Sequence, residues 1–225
     1  MAYQRTQKVE ARLAAREVGI LDAARQVFAE RGYHGSTMRD IAAAASVATG
    51  TLYLYFPSKE ALYEALLVKL TTLVLEAIVQ ARGGQPDVIS KLEASISAAV
   101  TVFAANADLA RIVLVQAAGA DPSFEERLAR VHRTLASFVR EDLEEAIGAG
   151  RLPSLDTEVA AMAWVGTFYE VIMSWLRDGR PDPLESSIAT LVSYNLRAIG
   201  ALPSGARAGS RGGSGAGSGA SARHR

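Results

Sequence analysis

The sequence predicts an all-α fold of about nine helices. Apolar residues recur at helical spacing, as in Ile20, Ala24, Val27 and Phe28, and again in Leu62, Leu66, Leu73, Ala77 and Ile78. No run alternates apolar and polar residues as a half-buried strand does. Clusters of Gly and Pro cut the chain into pieces of helix length.

The elements follow in order. A first helix is expected over about 8–31, broken by Gly32 and Gly35. Two short helices follow, over about 37–45 and 48–55. Pro57 ends that run, and Ser58 suits the N-cap of a long helix reaching about residue 82. Gly83, Gly84 and Pro86 make the clearest interior break. Further helices are expected over about 87–106, 109–118, 123–149, 156–178 and 184–199, with breaks at 119–122, 150–153 and 179–183. Residues 201–225 are almost only Gly, Ser, Ala and Arg. Such a tail has little to bury and is expected to be disordered.

At 225 residues, 49% apolar and 21% charged, the chain can build a core without disulfides or metal. It has no Cys, which excludes thiol catalysis and Cys-ligated zinc and fits a reducing cytoplasm. No signal-peptide core is visible. The most apolar stretch, 159–176, approaches the length of a membrane span. It contains Thr167, Glu170 and Ser174 and lies among amphipathic segments, so a helix buried on most sides is expected, with no membrane contact. Formal charge is zero overall, but 1–60 is net +2, 61–200 net −6 and the tail net +4. A polyanion would meet the front.

Two short helices joined by a tight turn after a longer helix are the layout of a helix-turn-helix. The Thr37 hydroxyl can cap the first, and Asp40 completes a capping box. Ile41 and Ala42 should face inward, and Val47 should plug the core from the turn. The second short helix, 48–55, has no charged residue. An exposed face without charge suits a groove in which hydroxyls and methyls read base edges. Thr49, Gly50 and Tyr53 share one side. Gly50 permits close approach, a Thr methyl suits a thymine methyl, and a Tyr hydroxyl suits a phosphate. Tyr53 and Tyr55 are also open to a core reading, which is preferred for Phe56. Arg39 is equally readable as a solvated charge, and Arg5, Lys8 and Arg12 either track phosphates or keep the end soluble.

The strings Phe28-Ala29-Glu30-Arg31-Gly32-Tyr33, Thr37-Met38-Arg39-Asp40-Ile41-Ala42 and Gly50-Thr51-Leu52-Tyr53-Leu54-Tyr55-Phe56-Pro57-Ser58-Lys59-Glu60-Ala61-Leu62 resemble the N-terminal domain of TetR-family transcriptional repressors. The likeness covers about residues 20–66. It implies a helix-turn-helix DNA-binding domain at 1–60, and a ligand-binding and dimerisation domain at 61–200. It also implies phosphate contacts from Thr37 and Arg39, and major-groove reading by Ala48, Thr49, Thr51 and Tyr53 with Gly50 among them. Tyr55 and Lys59 would contact backbone phosphates. Two positions depart from the pattern: Ser46 stands where Gly is common, and Ala48 where Ser is common. Loss of that Ser hydroxyl removes about 1 kcal/mol of capping.

The same resemblance implies a homodimer on double-stranded DNA, formed through about 156–178 and 184–199, and a small-molecule effector in the body. The residues agree with the first: the 156–178 segment is too apolar for one stripe and needs neighbours on several sides. Val100, Phe103, Val115, Trp164, Phe168 and Met173 are candidates for an apolar pocket, with Arg111 and Glu170 to orient a head group. The region 106–126 resembles relatives that sense fatty acyl thioesters. For any single one of these residues, plain core packing is an open alternative.

No catalytic residue, cofactor or metal is expected. His34, His132 and His224 form no metal or triad pattern, and His132 should face solvent. The acids Glu141, Asp142, Glu144 and Glu145 read as a solvated helix face rather than a metal site. The competing readings are a helical adaptor without specific DNA binding, and an enzyme.

Overall fold

A computed structural model describes residues 2–116 and 122–201, without the side chains of 2–7, 122 and 123. The tail beyond 201, the break expected at 119–121 and the Arg5 side chain lie outside this. The described residues form nine α-helices and no strand.

Helix α1 spans Ala2–Gly35, longer than the sequence predicts, with Gly32 kinked out at φ 73°. Its residues 8–19 are exposed throughout, so this stretch is helical by propensity rather than by packing. Helices α2 (Met38–Ala44) and α3 (Thr49–Tyr55) follow, then α4 (Lys59–Arg82), capped by the Ser58 hydroxyl, which accepts from the Ala61 N–H.

The body continues with α5 (Val88–Ala105), capped by Asp87, and the five-residue α6 (Ala107–Arg111). The helix expected over 109–118 is instead α6 running into a π-helical turn, Ile112–Gln116. Asn106 separates α5 from α6. Its side-chain amide donates to the Val102 carbonyl at 2.9 Å, a local bond that competes with helix continuation. Then come α7 (Pro122–Gly148) and α8 (Thr157–Asp178). A 3-10 turn at Leu184–Ser187 leads into α9 (Ile188–Ala198).

Helix α4 packs along α5, α7 along α8, and α5 also meets α9, so one core runs from Ile20 and Phe28 in α1 to Leu196 in α9. By length and composition α5 and α8 are apolar enough to cross a membrane, with mean hydropathy 1.5 and 1.4. Helix α8 buries Trp164, Ile172, Met173 and Leu176 on one side. The sequence predicts burial on most sides; Val159, Met162, Ala163, Gly166 and Glu170 are instead left exposed.

Candidate nucleic-acid interface and body cavity

The turn between α2 and α3 fixes how α3 is presented. The Val47 N–H donates to the Ala42 carbonyl at 3.0 Å and the Ser46 N–H to the Ala43 carbonyl at 3.1 Å, the paired bonds of a Schellman motif. That motif needs a left-handed residue after the C-cap. Here it is Ser46, at φ 54°, the position where the resembled pattern has Gly. Val47 packs against the core, as its place in the turn suggests. Ala48 is the N-cap of α3 and supplies no side-chain bond.

The start of α2 is closed by a capping box. The Asp40 N–H donates to Thr37 Oγ1 at 3.2 Å, and the Thr37 N–H donates to Asp40 Oδ2 at 2.9 Å. Arg31 binds the other carboxylate oxygen at 2.9 Å. The bonds from Thr37, with the Arg31 charge, hold the Asp40 carboxyl below its usual range. Thr37 and Arg39 are exposed at this end.

Helix α3 is anchored by Leu52, fully buried, with Phe56 buried just after it. Its other face is open: Ala48, Gly50, Tyr53 and Leu54 are exposed, Tyr53 at 49% and Leu54 at 85%. Thr49 and Thr51 flank that face half-buried, and Tyr55 is half-buried against the core. A Cβ added at Gly50 would meet nothing, so the glycine leaves a flat surface rather than relieving a contact within the chain.

Lys59 is placed differently from a phosphate contact. Its ammonium donates to the Tyr33 carbonyl at 2.7 Å and the Ser36 carbonyl at 3.1 Å, and lies 4.3 Å from the centre of the Tyr33 ring. It caps the end of α1 and clamps α4 to it.

In the body, a cavity of about 370 Å³ opens between α4, α5, α7 and α8, walled by Ile78, Leu92, Ile96, Phe138, Trp164 and Phe168. A narrower chamber with Phe103, Leu114, Leu128 and Tyr169 adjoins it, sharing Val74, Leu135, Val165 and Phe168. Of the residues singled out from sequence, Phe103, Trp164 and Phe168 line these spaces. Val100 and Met173 are buried in the core, Val115 packs half-buried against it, and Arg111 and Glu170 are exposed on the surface.

Sequence reasoning missed the polar corner of this cavity. Asp142 is 6% exposed, and both its oxygens accept from Arg82, at 2.6 and 2.7 Å. Arg82 also reaches Ser95 Oγ at 3.3 Å. The acid run at 141–145 is therefore not uniformly solvated. Asp142 shares the inward face with Val139, Leu143 and Ala146, three or four residues apart, and that register was readable. His132 is likewise not solvent-facing: it is half-buried, 4.4 Å from the Tyr169 ring, and burial lowers its pKa. No group of three metal-ligating side chains exists among the described residues.

Residues 20–66 match the bacterial regulatory proteins of the tetR family, and residues 85–198 the tetracyclin repressor-like C-terminal domain. The fatty acid metabolism regulator protein of Bacillus subtilis is 28% identical over 70% of this chain and 81% of its own. Solved structures of the same fold include two fatty acid regulators. The fatty acid degradation regulator FadR of Bacillus halodurans is 29% identical, with TM-score 0.72 over 80% of this chain and 94% of that one. FadR of Bacillus subtilis, in complex with stearoyl-CoA, is 25% identical, with TM-score 0.72 over 81% and 98%.

Proposed function

The chain belongs to the TetR family of bacterial regulatory proteins, a ligand-responsive, DNA-binding transcriptional regulator, and from that premise we propose that it is a homodimeric repressor released by a fatty acyl thioester. The observation that carries the DNA-binding half is the uncharged outer face of α3, with Tyr53 and Leu54 exposed. A helix end that buries Leu52 and leaves Tyr53 to solvent is poised for a groove rather than for the chain's own core. In this reading 1–60 is the DNA-binding domain. Thr37 and Arg39 meet phosphates, and Thr49, Gly50, Thr51 and Tyr53 meet base edges, with Ala48 and Tyr55 beside them. Residues 61–200 hold effector and partner.

Two heads reading one palindrome need self-association. The apolar residues left uncovered on α8 and α9, Val159, Met162 and Tyr194, support pairing there, beside small Ala163 and Gly166 that let helices approach. The apolar cavity and the stearoyl-CoA bound by one relative support the effector class. We place the protein in the cytoplasm, with its DNA, and give it no catalytic role.

The test is fluorescence anisotropy on DNA from the chain's own upstream region. Tyr53→Ala and Thr49→Ala should each weaken binding about tenfold without lowering Tm, and stearoyl-CoA should release the wild type. Unchanged affinity in both variants would remove α3 from the interface. No release at high micromolar thioester would end the effector assignment.

A further inference from the structure

The cavity wall carries three charges: Arg82, Asp142 and Glu141. Arg82 closes the end of α4, Ser95 stands on α5, and both acids stand on α7. The guanidinium binds both oxygens of Asp142, so its charge is matched inside the wall. Glu141, exposed at the rim, has no such partner among the described residues. Formally the lining is one negative charge in excess, and the rest of it is largely apolar. Two of the five guanidinium N–H donors, the Nε–H and one on Nη2, take no part in the bonds to Asp142 and Ser95.

We propose that the Arg82–Asp142 pair makes this cavity reject anionic head groups, so that it takes apolar chains ending in a neutral polar group, such as a thioester or ester carbonyl, and excludes the free carboxylate of the same chain. The inference rests on the acyl-ligand reading above and names the chemistry at the head of the chain. A carbonyl can accept from the unused donors without disturbing the pair. A carboxylate would bring a third negative charge beside Asp142 and Glu141. A carboxylate that reached those same donors would share a guanidinium whose charge Asp142 already matches, and would gain little attraction to set against the two acids. For a thioester the inference requires the charged part of its carrier to stay outside the cavity.

The probe is N-phenyl-1-naphthylamine, a neutral fluorophore, displaced by twelve-carbon competitors below their micellar concentrations. Dodecylammonium and dodecanoate carry opposite unit charges on the same chain and both lose hydration on entry, so their order reports the sign of the field. In the wild type dodecylammonium and dodecan-1-ol should each displace the probe at about tenfold lower concentration than dodecanoate. Asp142→Asn uncovers the Arg82 charge and should strengthen dodecanoate about tenfold and weaken dodecylammonium about tenfold, reversing their order. Glu141→Gln, on the exposed rim, should move the ratio the same way by about twofold. Equal displacement by the two ions in the wild type overturns the inference, as does an Asp142→Asn ratio equal to wild type or failure of the naphthylamine to bind. Should Asp142→Asn fail to fold, the wild-type order and Glu141→Gln decide. Dodecanoyl-CoA forms a separate arm: its failure to displace the probe removes the thioester effector, while the order of the two ions still decides the charge preference.

Discussion

The Tyr63 hydroxyl donates to the Val113 carbonyl across 2.7 Å, joining the second turn of α4 to the π-helical turn at Ile112–Gln116. Tyr63 is buried, and burial pushes its phenol up to about 12, so it is a neutral donor throughout the physiological range. Its ring stacks on Phe124 of α7 at 4.0 Å and meets Tyr33 of α1 edge-on at 5.9 Å. Three helices and the π turn therefore converge on one side chain, three residues before the end of the tetR-family N-terminal match. Single π turns recur at functional sites.

Tyr63→Phe keeps the ring and removes the bond. The Val113 carbonyl then loses its phenolic donor, and unfolding in urea should show a loss of about 1–2 kcal/mol at constant m. The same variant should bind effector normally yet release DNA over a broader effector range, read by anisotropy. An unchanged midpoint in both measurements would deny the bond any role.

Ser46 holds a backbone conformation that glycine adopts freely. Ser46→Gly should raise stability by about 1 kcal/mol, and Ala48→Ser, which restores a cap to α3, by a similar amount, about 1 kcal/mol. Urea midpoints of the single variants check this. The positions are close enough that the double variant need not be additive.

Lys59 and Arg39 should separate in their response to salt. Lys59→Met loses two charged hydrogen bonds at the end of α1 and should cost about 1–2 kcal/mol of stability, leaving the salt slope of DNA binding near wild type. Arg39→Ala should do the reverse: stability unchanged, and the slope of log affinity against log salt shallower by about 1. A slope change in Lys59→Met would return that ammonium to the phosphate backbone.

His132 makes stability depend on pH. Burial depresses its folded pKa below the ordinary 6.5, so on acidification the unfolded chain takes up the proton first. The stability present above the unfolded value is then lost as pH falls through it toward the folded value. Tm should drop between about pH 7.5 and about pH 5.5, and drop less in His132→Gln. Parallel pH curves for the two proteins would contradict this.

Gly200 sits at φ 79°, and a Cβ there would lie 2.9 Å from Cγ and 3.1 Å from Cδ of Pro153. Gly200→Ala combines a disfavoured backbone with overlap on a stiff ring, and should lose about 2 kcal/mol. Thermal unfolding against wild type tests it.

The sequence carried the front of the molecule well because its signals there are local. Thr37 and Asp40 cap within one turn, Gly32 breaks α1 where φ must be positive, and Ala48-to-Tyr55 shows its lack of charge on inspection. The interior of the body was less legible. Arg82, Ser95 and Asp142 come from three helices, and nothing in their separation along the chain says that they meet. Phe103, Trp164 and Phe168 could be picked out as cavity residues, but Val100 and Met173 have the same chemistry and are core; apolarity does not say which face borders a void. Arg111 and Glu170 are rare charges among apolar residues in the sequence, and they are tolerated there because they lie at the surface. The 8–19 stretch of α1 is exposed throughout, so no buried stripe marks how far the helix extends.

Helix α4 is one unbroken rod of 24 residues, about 36 Å from end to end. Lys59 pins its first turn to the base of the DNA-reading head, and Arg82 ends its last turn in the wall of the cavity. A tilt of only about 5° about one end sweeps the other by about 3 Å. In the two-fold assembly proposed above both heads swing, so the spacing between them changes by up to twice that, a large error for parts which that proposal sets in successive turns of a duplex.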